Sequence, residues 1–474
     1  MSGPAPGPPS PAAVSAPAPL RRVRRSWYVY DWANSAYVTT TQTVLFAPYL
    51  TVLARRAACG PVTEGCTRTL SVLGVQVAPG SLALYTTTVA TLLSALLLPF
   101  AGALADRVRR RNRLLGAFAW PGAAAGTAMV ALGGDRWELG VLLAVVATLS
   151  LTASSVVNDA LLCDVAAPAE RDAVSSRGWA AGYLAGFLLL GANLAVVSSP
   201  GALGLDDEGA VRVSLASAGL WWGVFTLVPV LGLRHLPARA VPVDGAARTG
   251  GGRAGAVVAP LRQLVRTLRG LRGYPQALRF LLAYWVFNDG IQTVVAAASV
   301  YGQEQLGFGS AQLITTVLIV QGVAFGGALA FGWAARRVGA QRAVLGGLGL
   351  WVVVVLAAFA VPRGAFGAWL ALAVLIGLVL GGTQALARSM FSRLVPVGAE
   401  AEYFALYQAG ERGTSWLGTL VFGLVAQLTG SYRPALVALL AFFVVGAWLL
   451  ARVDVAAGAR QAGQVEPVVA VAPR

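Results

Sequence analysis

Lysine is absent from the 474-residue chain, and histidine occurs once, as His235. Without lysine there is no P-loop lysine for ATP, no Schiff base and no pyridoxal anchor. With one histidine there is no Ser-His-Asp triad and no histidine-rich metal centre. Charge is scarce as well: 12% of residues carry it, against about 25% in soluble domains. Cysteine is limited to Cys59, Cys66 and Cys163, and CGPVTEGC lacks zinc-ligand spacing. These absences argue against an enzyme, a cofactor, a bound metal and an ATP-driven pump of the P-loop type.

What the chain has is apolar surface. It is 57% hydrophobic with a mean hydropathy of +0.68. A soluble protein of this composition would expose large apolar patches. The apolar residues fall in blocks near the ~20 residues a helix needs to cross hydrocarbon. Candidate spans cover 28–54, 82–105, 113–133, 138–162, 177–198, 212–233, 277–301, 311–333, 342–361, 365–386, 402–428 and 434–452. The expected fold class is an all-α membrane protein of about 12 transmembrane helices in two six-helix bundles.

All 36 basic residues are arginine, giving a net charge of +16. They sit in short segments between spans and are not gathered on one soluble face, which argues against a nucleic-acid partner. Arg55, Arg56, Arg68, Arg136, Arg212, Arg363 and Arg433 fall on one side of the bilayer, and Arg412 lies inside a span. Every other arginine falls on the opposite side, which by the positive-inside rule is the cytoplasm. Both termini are then cytoplasmic in a multi-pass plasma-membrane protein. Cys59 and Cys66 share an outer loop, either as a disulfide or as two free thiols. Residues 1–25 read as a disordered Pro/Ala-rich tail ending in arginines, with no cleavage site after them. The bundles occupy 26–233 and 277–453. A cytoplasmic linker, 234–276, carries a basic amphipathic helix (Leu261, Leu264, Val265, Leu268 and Leu271 against interleaved arginines) suited to the membrane surface. Residues 454–474 read as a second disordered tail.

The two halves echo each other. GALADRVRRRNR (Gly102–Arg113) follows the second span and GWAARRVGAQR (Gly332–Arg342) follows the eighth. YDWANSAY (Tyr30–Tyr37) and YWVFNDGIQT (Tyr284–Thr293) open the two bundles with an acid and an Asn near an aromatic. A duplicated six-helix unit with a site between the halves is a recurring transporter plan.

Ionisable groups inside hydrocarbon are costly and so mark function. In the first span Asp31, Asn34, Ser35 and Gln42 form a polar stripe. Asp31 either lines a pathway near its cytoplasmic mouth or caps the helix at the headgroups. In the seventh, Asn288 with Gln292 and Asp289 with Thr293 are turn neighbours. Asp289 suits proton binding or a structural hydrogen bond. In the eleventh, Gln408, Glu411, Arg412 and Ser415 share a face. Arg412 has the fork to hold Asp289 or a substrate carboxylate. Gly102, Asp106, Arg107, Asp159, Gln384 and Arg388 are assigned to gating, with Gly102 for close helix approach and Asp106 for accepting from arginines or capping a helix across the interface. Glycines of the eighth and tenth spans suit packing.

GALADRVRRRNR resembles the major facilitator superfamily signature, with Arg109 where that family has Gly. YDWANSAYVTT (Tyr30–Thr40), FNDGIQTV (Phe287–Val294), VYGQEQLG (Val300–Gly307) and GGTQALARSMFSRLVP (Gly381–Pro396) resemble the vacuole-effluxer-like subfamily, related to the fungal autophagy-linked vacuolar amino-acid effluxer. The resemblance runs from about Ser26 to Val453. It implies two six-helix bundles, alternating access and amino-acid efflux, and it picks out Asp31, Asn34, Asn288, Asp289, Gln292, Gln384 and Arg388 without assigning them roles. The resulting expectation is a secondary transporter of a small solute, with protons as coupling ion, acting as a monomer in the lipid bilayer. Its site lies between the first, fourth, seventh, tenth and eleventh spans, Asp289 serving the proton or amine and Arg412 the carboxylate. Rival readings are another substrate class (drug, sugar or peptide) or a lipid-handling protein.

Overall fold

Long runs of Leu, Val and Ala bury no backbone polarity only if every N–H and C=O pairs within the segment, so they fold as helices. A computed structural model describes residues 18–60, 68–72, 74–236, 265 and 267–464. Among these, twelve helical spans form two bundles of six. The first span is continuous from Ala18–Tyr37 through a π-helical stretch, Val38–Leu45, to Phe46–Cys59. The next five are Leu82–Arg107, Arg111–Ala128, Trp137–Val165, Arg171–Ser198 and Asp207–Gly232. The second bundle comprises Pro275–Val300, Ser310–Val338, Ala340–Ala360, Phe366–Leu394 and Glu400–Thr429, then a twelfth span in two pieces, Tyr432–Ala438 and Leu440–Ala451. Ten helices among the described residues are long and apolar enough to cross a bilayer. The first and eleventh spans, rich in polar residues, complete the twelve. A small antiparallel hairpin, Leu70–Val72 with Val75–Val77, follows the first span.

Local signals set the ends. Asp206 caps the sixth span by accepting from Gly209 N at 2.9 Å. Gly430 closes the eleventh at φ +65°, a left-handed position suited to glycine. The ninth and tenth spans split at 361–365, where Gly364 takes φ +77°.

Several helices outrun their expected spans at the end of the molecule that carries the chain termini, the terminal end. The tenth runs to Leu394, eight residues past 386, and the fifth starts at Arg171, six before 177. Hydropathy marks where a helix leaves hydrocarbon, not where its hydrogen bonding stops. The extensions carry Arg388, Arg393 and Arg171. The expected tails also shorten. The first helix already begins at Ala18, and Arg24 in it pairs with Glu170. At the other terminus Val455–Gln461 is helical, N-capped by Asp454, and Gln464 is buried. Residues 261–264 and 266 of the expected linker helix, and Cys66 of the expected Cys59–Cys66 pair, lie outside the described residues, while 267–270 are helical.

The two echoed glycines sit in matching places. A Cβ on Gly102 of the second span would lie 2.7 Å from Ala401 O and 2.8 Å from Ala405 Cβ of the eleventh. A Cβ on Gly332 of the eighth would lie 2.6 Å from Ser176 Oγ of the fifth. Each glycine lets one bundle touch the other at the terminal end. Gly377 and Gly381 pack against backbone of the eighth span in the same manner.

Candidate functional site

A cavity of about 660 Å³ lies between the bundles. The first, fourth, seventh, tenth and eleventh spans supply its polar wall, and the second, fifth and eighth complete it. Its floor is at the terminal end, around Asp31, Asp159 and Arg388. From Asp31 the wall rises through Asn34 and Thr39 to Gln42 and Thr43. The last two are exposed and sit where the first span becomes π-helical, a form that recurs at functional sites. Gln321 of the eighth span bonds Thr39 across the side wall.

Arg388 organises the floor. The tenth-span helix carries it from the second bundle into the first, where it is 3% exposed. It donates through Nη1 and Nη2 to both oxygens of Asp31, at 3.2 and 2.9 Å. Nη1 also reaches Asp159 Oδ1 at 3.3 Å. Nε donates to Ser175 Oγ at 3.0 Å, and Nη2 to Ser175 O at 3.2 Å. Trp27 and Trp179 face the guanidinium at 4.8 and 5.4 Å, a favourable cation–π setting. Gly178 makes room: a Cβ there would collide with Asp31 Oδ2 and lie 3.1 Å from Arg388 Nη2. Asn158 Nδ2 donates to Asp31 Oδ1 at 3.0 Å, and Gln408 Nε2 to Asp159 Oδ2 at 2.9 Å.

Further out, a second layer joins the bundles. Arg111 pairs with Asp106, with Asp164 at 3.0 Å and with Glu400 at 3.0 Å. Asp106 accepts from Ala401 N at 3.1 Å and Glu402 N at 2.8 Å. It thereby caps the eleventh span, whose own Ala399 offers no side-chain cap. Arg393 pairs with Asp172 at 2.6 Å, and Ser389 donates to the same carboxylate. Arg107 is exposed and makes no ion pair among the described residues; helical rotation turns it away from its neighbour Asp106.

Above the floor, Glu411 and Arg412 both line the cavity. Glu411 Oε2 accepts from Tyr284 Oη at 2.8 Å, and Tyr284 stacks on Tyr407 at 4.0 Å. Arg412 makes no ion pair within 4.0 Å among the described residues, and its Nε is buried without a hydrogen-bond partner. Gln292 lines the wall.

Two expectations on the seventh span do not hold. Asp289 is fully buried but absent from the cavity wall. Its Oδ2 accepts from Gly418 N at 2.9 Å, within the second bundle, and it does not pair with Arg412. Asn288 sits behind Gln384, which donates to its Oδ1 at 2.6 Å. Successive helix positions differ by about 100°, so NDGIQT cannot face one way: Gln292 turns to the cavity and Asp289 to the eleventh span. Sequence reasoning also passed over Trp27, Trp179, Ser175 and Tyr407. Trp179 and Tyr183 are one turn apart in GWAAGY, each next to a glycine, Gly178 or Gly182, that packs on the first span; that repeat was the available signal.

A larger side chain at Gly102 is expected to pry the floor open. The native reporter is Cys163, whose Sγ lies 3.8 Å from Ser392 O across the bundle interface. Forcing atoms into a filled contact costs about 1–3 kcal/mol. Gly102→Leu is therefore expected to raise maleimide labelling of Cys163 roughly tenfold or more. Unchanged labelling would mean the contact does not hold the floor shut.

A family model described as "Vacuole effluxer Atg22 like" matches residues 20–463. An "Uncharacterized MFS-type transporter YxiO" from Bacillus subtilis is 28% identical over 428 residues, covering 90% of this chain and 93% of that protein. An "Autophagy-related protein 22" from Pyricularia oryzae is 25% identical, covering 86% of this chain and 72% of its own length. Among solved structures, the human organic anion transporter MFSD10 matches with TM-score 0.65 at 15% identity, over 92% of this chain and all of that one. The major facilitator transporter FucP in its outward conformation matches with TM-score 0.63 at 11% identity, over 92% and 99% of the two chains. A bacterial homologue of the iron transporter ferroportin, outward-facing, gives 0.62 at 15%, over 92% and 99%.

Proposed function

Because the chain belongs to the vacuole effluxer Atg22-like family and is a multi-pass transporter of the major facilitator type, we propose that it exports amino acids or related zwitterionic metabolites by alternating access. One observation carries the reading. A cavity between the bundles holds a guanidinium, Arg412, that makes no ion pair within 4.0 Å among the described residues, beside a carboxylate, Glu411. Arg412 suits a substrate carboxylate, which a guanidinium fork binds through two parallel bonds. Glu411, braced by Tyr284, takes the amine role that the sequence assigned to Asp289. Asn34, Gln292 and Gln408 complete the polar shell. The family's vacuole-effluxer description supports efflux.

Arginine asymmetry supports cytoplasmic termini, which makes the Arg388 floor the inner gate. The cavity then faces outward, as in the FucP and ferroportin-homologue structures. Opening requires the two bundles to rock apart around Asp31, Asp159 and Arg388. Coupling is to protons, and the working unit is the monomer.

The test is flux from proteoliposomes loaded with the twenty amino acids, with and without a pH gradient. The expected result is release of a subset above protein-free vesicles, accelerated by the gradient. Absence of release by folded protein would overturn the amino-acid assignment. Release indifferent to the gradient would remove proton coupling.

A further inference from the structure

The floor cluster holds two carboxylates and one guanidinium. Asp31 is met by both terminal nitrogens of Arg388 and by Asn158. Asp159 receives one long contact, 3.3 Å, and Gln408. All donors of Arg388 are already directed at Asp31, Asp159 or Ser175. Among the described residues, the groups that the neighbouring spans turn toward the cluster bring no second cation: Ser175, Trp179 and Tyr183 from the fifth, Gln384 from the tenth, Gln408 and Tyr407 from the eleventh; the cavity's other guanidinium, Arg412, lies beside Glu411. The next carboxyl, Glu411, is engaged by Tyr284. With both acids ionised, the cluster carries one uncompensated negative charge at 3–7% exposure. Asn158 gives its Nδ2 to Asp31, and its Oδ1 is buried with no partner.

Asp31, Asp159 and Arg388 all line the cavity, so a proton from that side reaches them without crossing the floor. We propose that this cluster is the coupling-proton site, that Asp159 carries the proton while the floor is closed, and that opening the floor releases it to the opposite side. The release follows from geometry. Rocking the bundles apart leaves both carboxylates on the first bundle and withdraws Arg388 and Gln408 with the second, so each acid meets water. An acid that is buried when the floor is closed and solvated when it is open binds its proton more tightly in the closed state. Lower pH therefore favours the closed floor and higher pH the open one. This inference rests on the alternating-access reading above and not on the amino-acid assignment.

The experiment is a spin-label distance measurement across the terminal end. Labels go on Arg107→Cys and Val397→Cys, both exposed, in full-length Cys163→Ser protein, in sodium-free buffer from pH 5.5 to 8.5. The ratio of long to short distances is expected to rise with pH, by at most about tenfold per unit for one linked proton. Asp159→Asn makes the cluster neutral and is expected to stay short throughout, while Asp159→Glu is expected to keep the response. Gly102→Leu serves as the open reference. An equal pH response in Asp159→Asn, or a response that needs sodium, would overturn the proton site. So would a flat parent beside an open Gly102→Leu, which would leave alternating access standing. Distances that never change, Gly102→Leu included, would overturn both.

Discussion

Arg388→Gln is expected to leave the terminal end open and to abolish gradient-driven transport. The substitution strands Asp31 and Asp159 on one bundle with no cation between them. Removing one partner of a buried pair costs about 3–5 kcal/mol, which favours the open floor by more than about 100-fold. The measurement is labelling of Cys163, half-buried beside Ser392 O, together with flux in vesicles. Arg388→Lys should rescue poorly. One ammonium cannot reach both oxygens of Asp31, Asp159 and Ser175 at once, nor offer Trp27 and Trp179 the planar face of a guanidinium. Normal transport by Arg388→Gln would mean that the floor is held by the second layer alone, through Arg111, Arg393 and Asp106.

Arg412→Gln is expected to act on a different quantity. Arg412 has no ion-pair partner among the described residues, so its loss leaves the floor unchanged and Cys163 labelling at the parent rate. What falls is substrate affinity. Deleting one partner of a desolvated charged pair costs about 2–5 kcal/mol, so the half-saturating substrate concentration should rise on the order of 100-fold. The contrast between the two arginines is the useful result. Arg388 variants change conformation, and Arg412 variants change concentration dependence. If Arg412→Gln also opened the floor, Arg412 would be structural and the substrate carboxylate would need another partner.

Composition made the bilayer and the helical class readable, because these rest on sums over many residues. Motifs with a built-in geometric demand were readable too. Gly102 needs space taken by a facing helix, and Asp106 needs donors, which the backbone of the eleventh span supplies. Arg388 was assigned to gating, but its partners were not. Its place at the floor depends on a helix that continues well past the hydrophobic stretch, and hydropathy is blind to that continuation. For Asp289 the sequence left a proton site and a structural hydrogen bond both open, for a complementary reason. Depth in the bilayer can be counted along a helix, but the direction a side chain faces depends on which helices surround it. Asp289 and Gln292 differ by three positions, enough to send one to Gly418 N and the other to the cavity. The aromatic walls around Arg388 left little trace, since tryptophan is common on lipid faces and in cores alike.

The most direct test of the central claim is to staple the floor. Gly332→Cys and Ser176→Cys, in the Cys163→Ser background, place thiols on the eighth and fifth spans where the bundles touch. Substrate flux is then followed in proteoliposomes before oxidation, after oxidation and after reduction, with the unpaired parent treated identically. Transport that stops on oxidation and returns on reduction is the predicted result, because solute leaves the cavity only when these two spans part. Undiminished flux through the cross-linked protein would contradict the account, since the floor would then not be a gate.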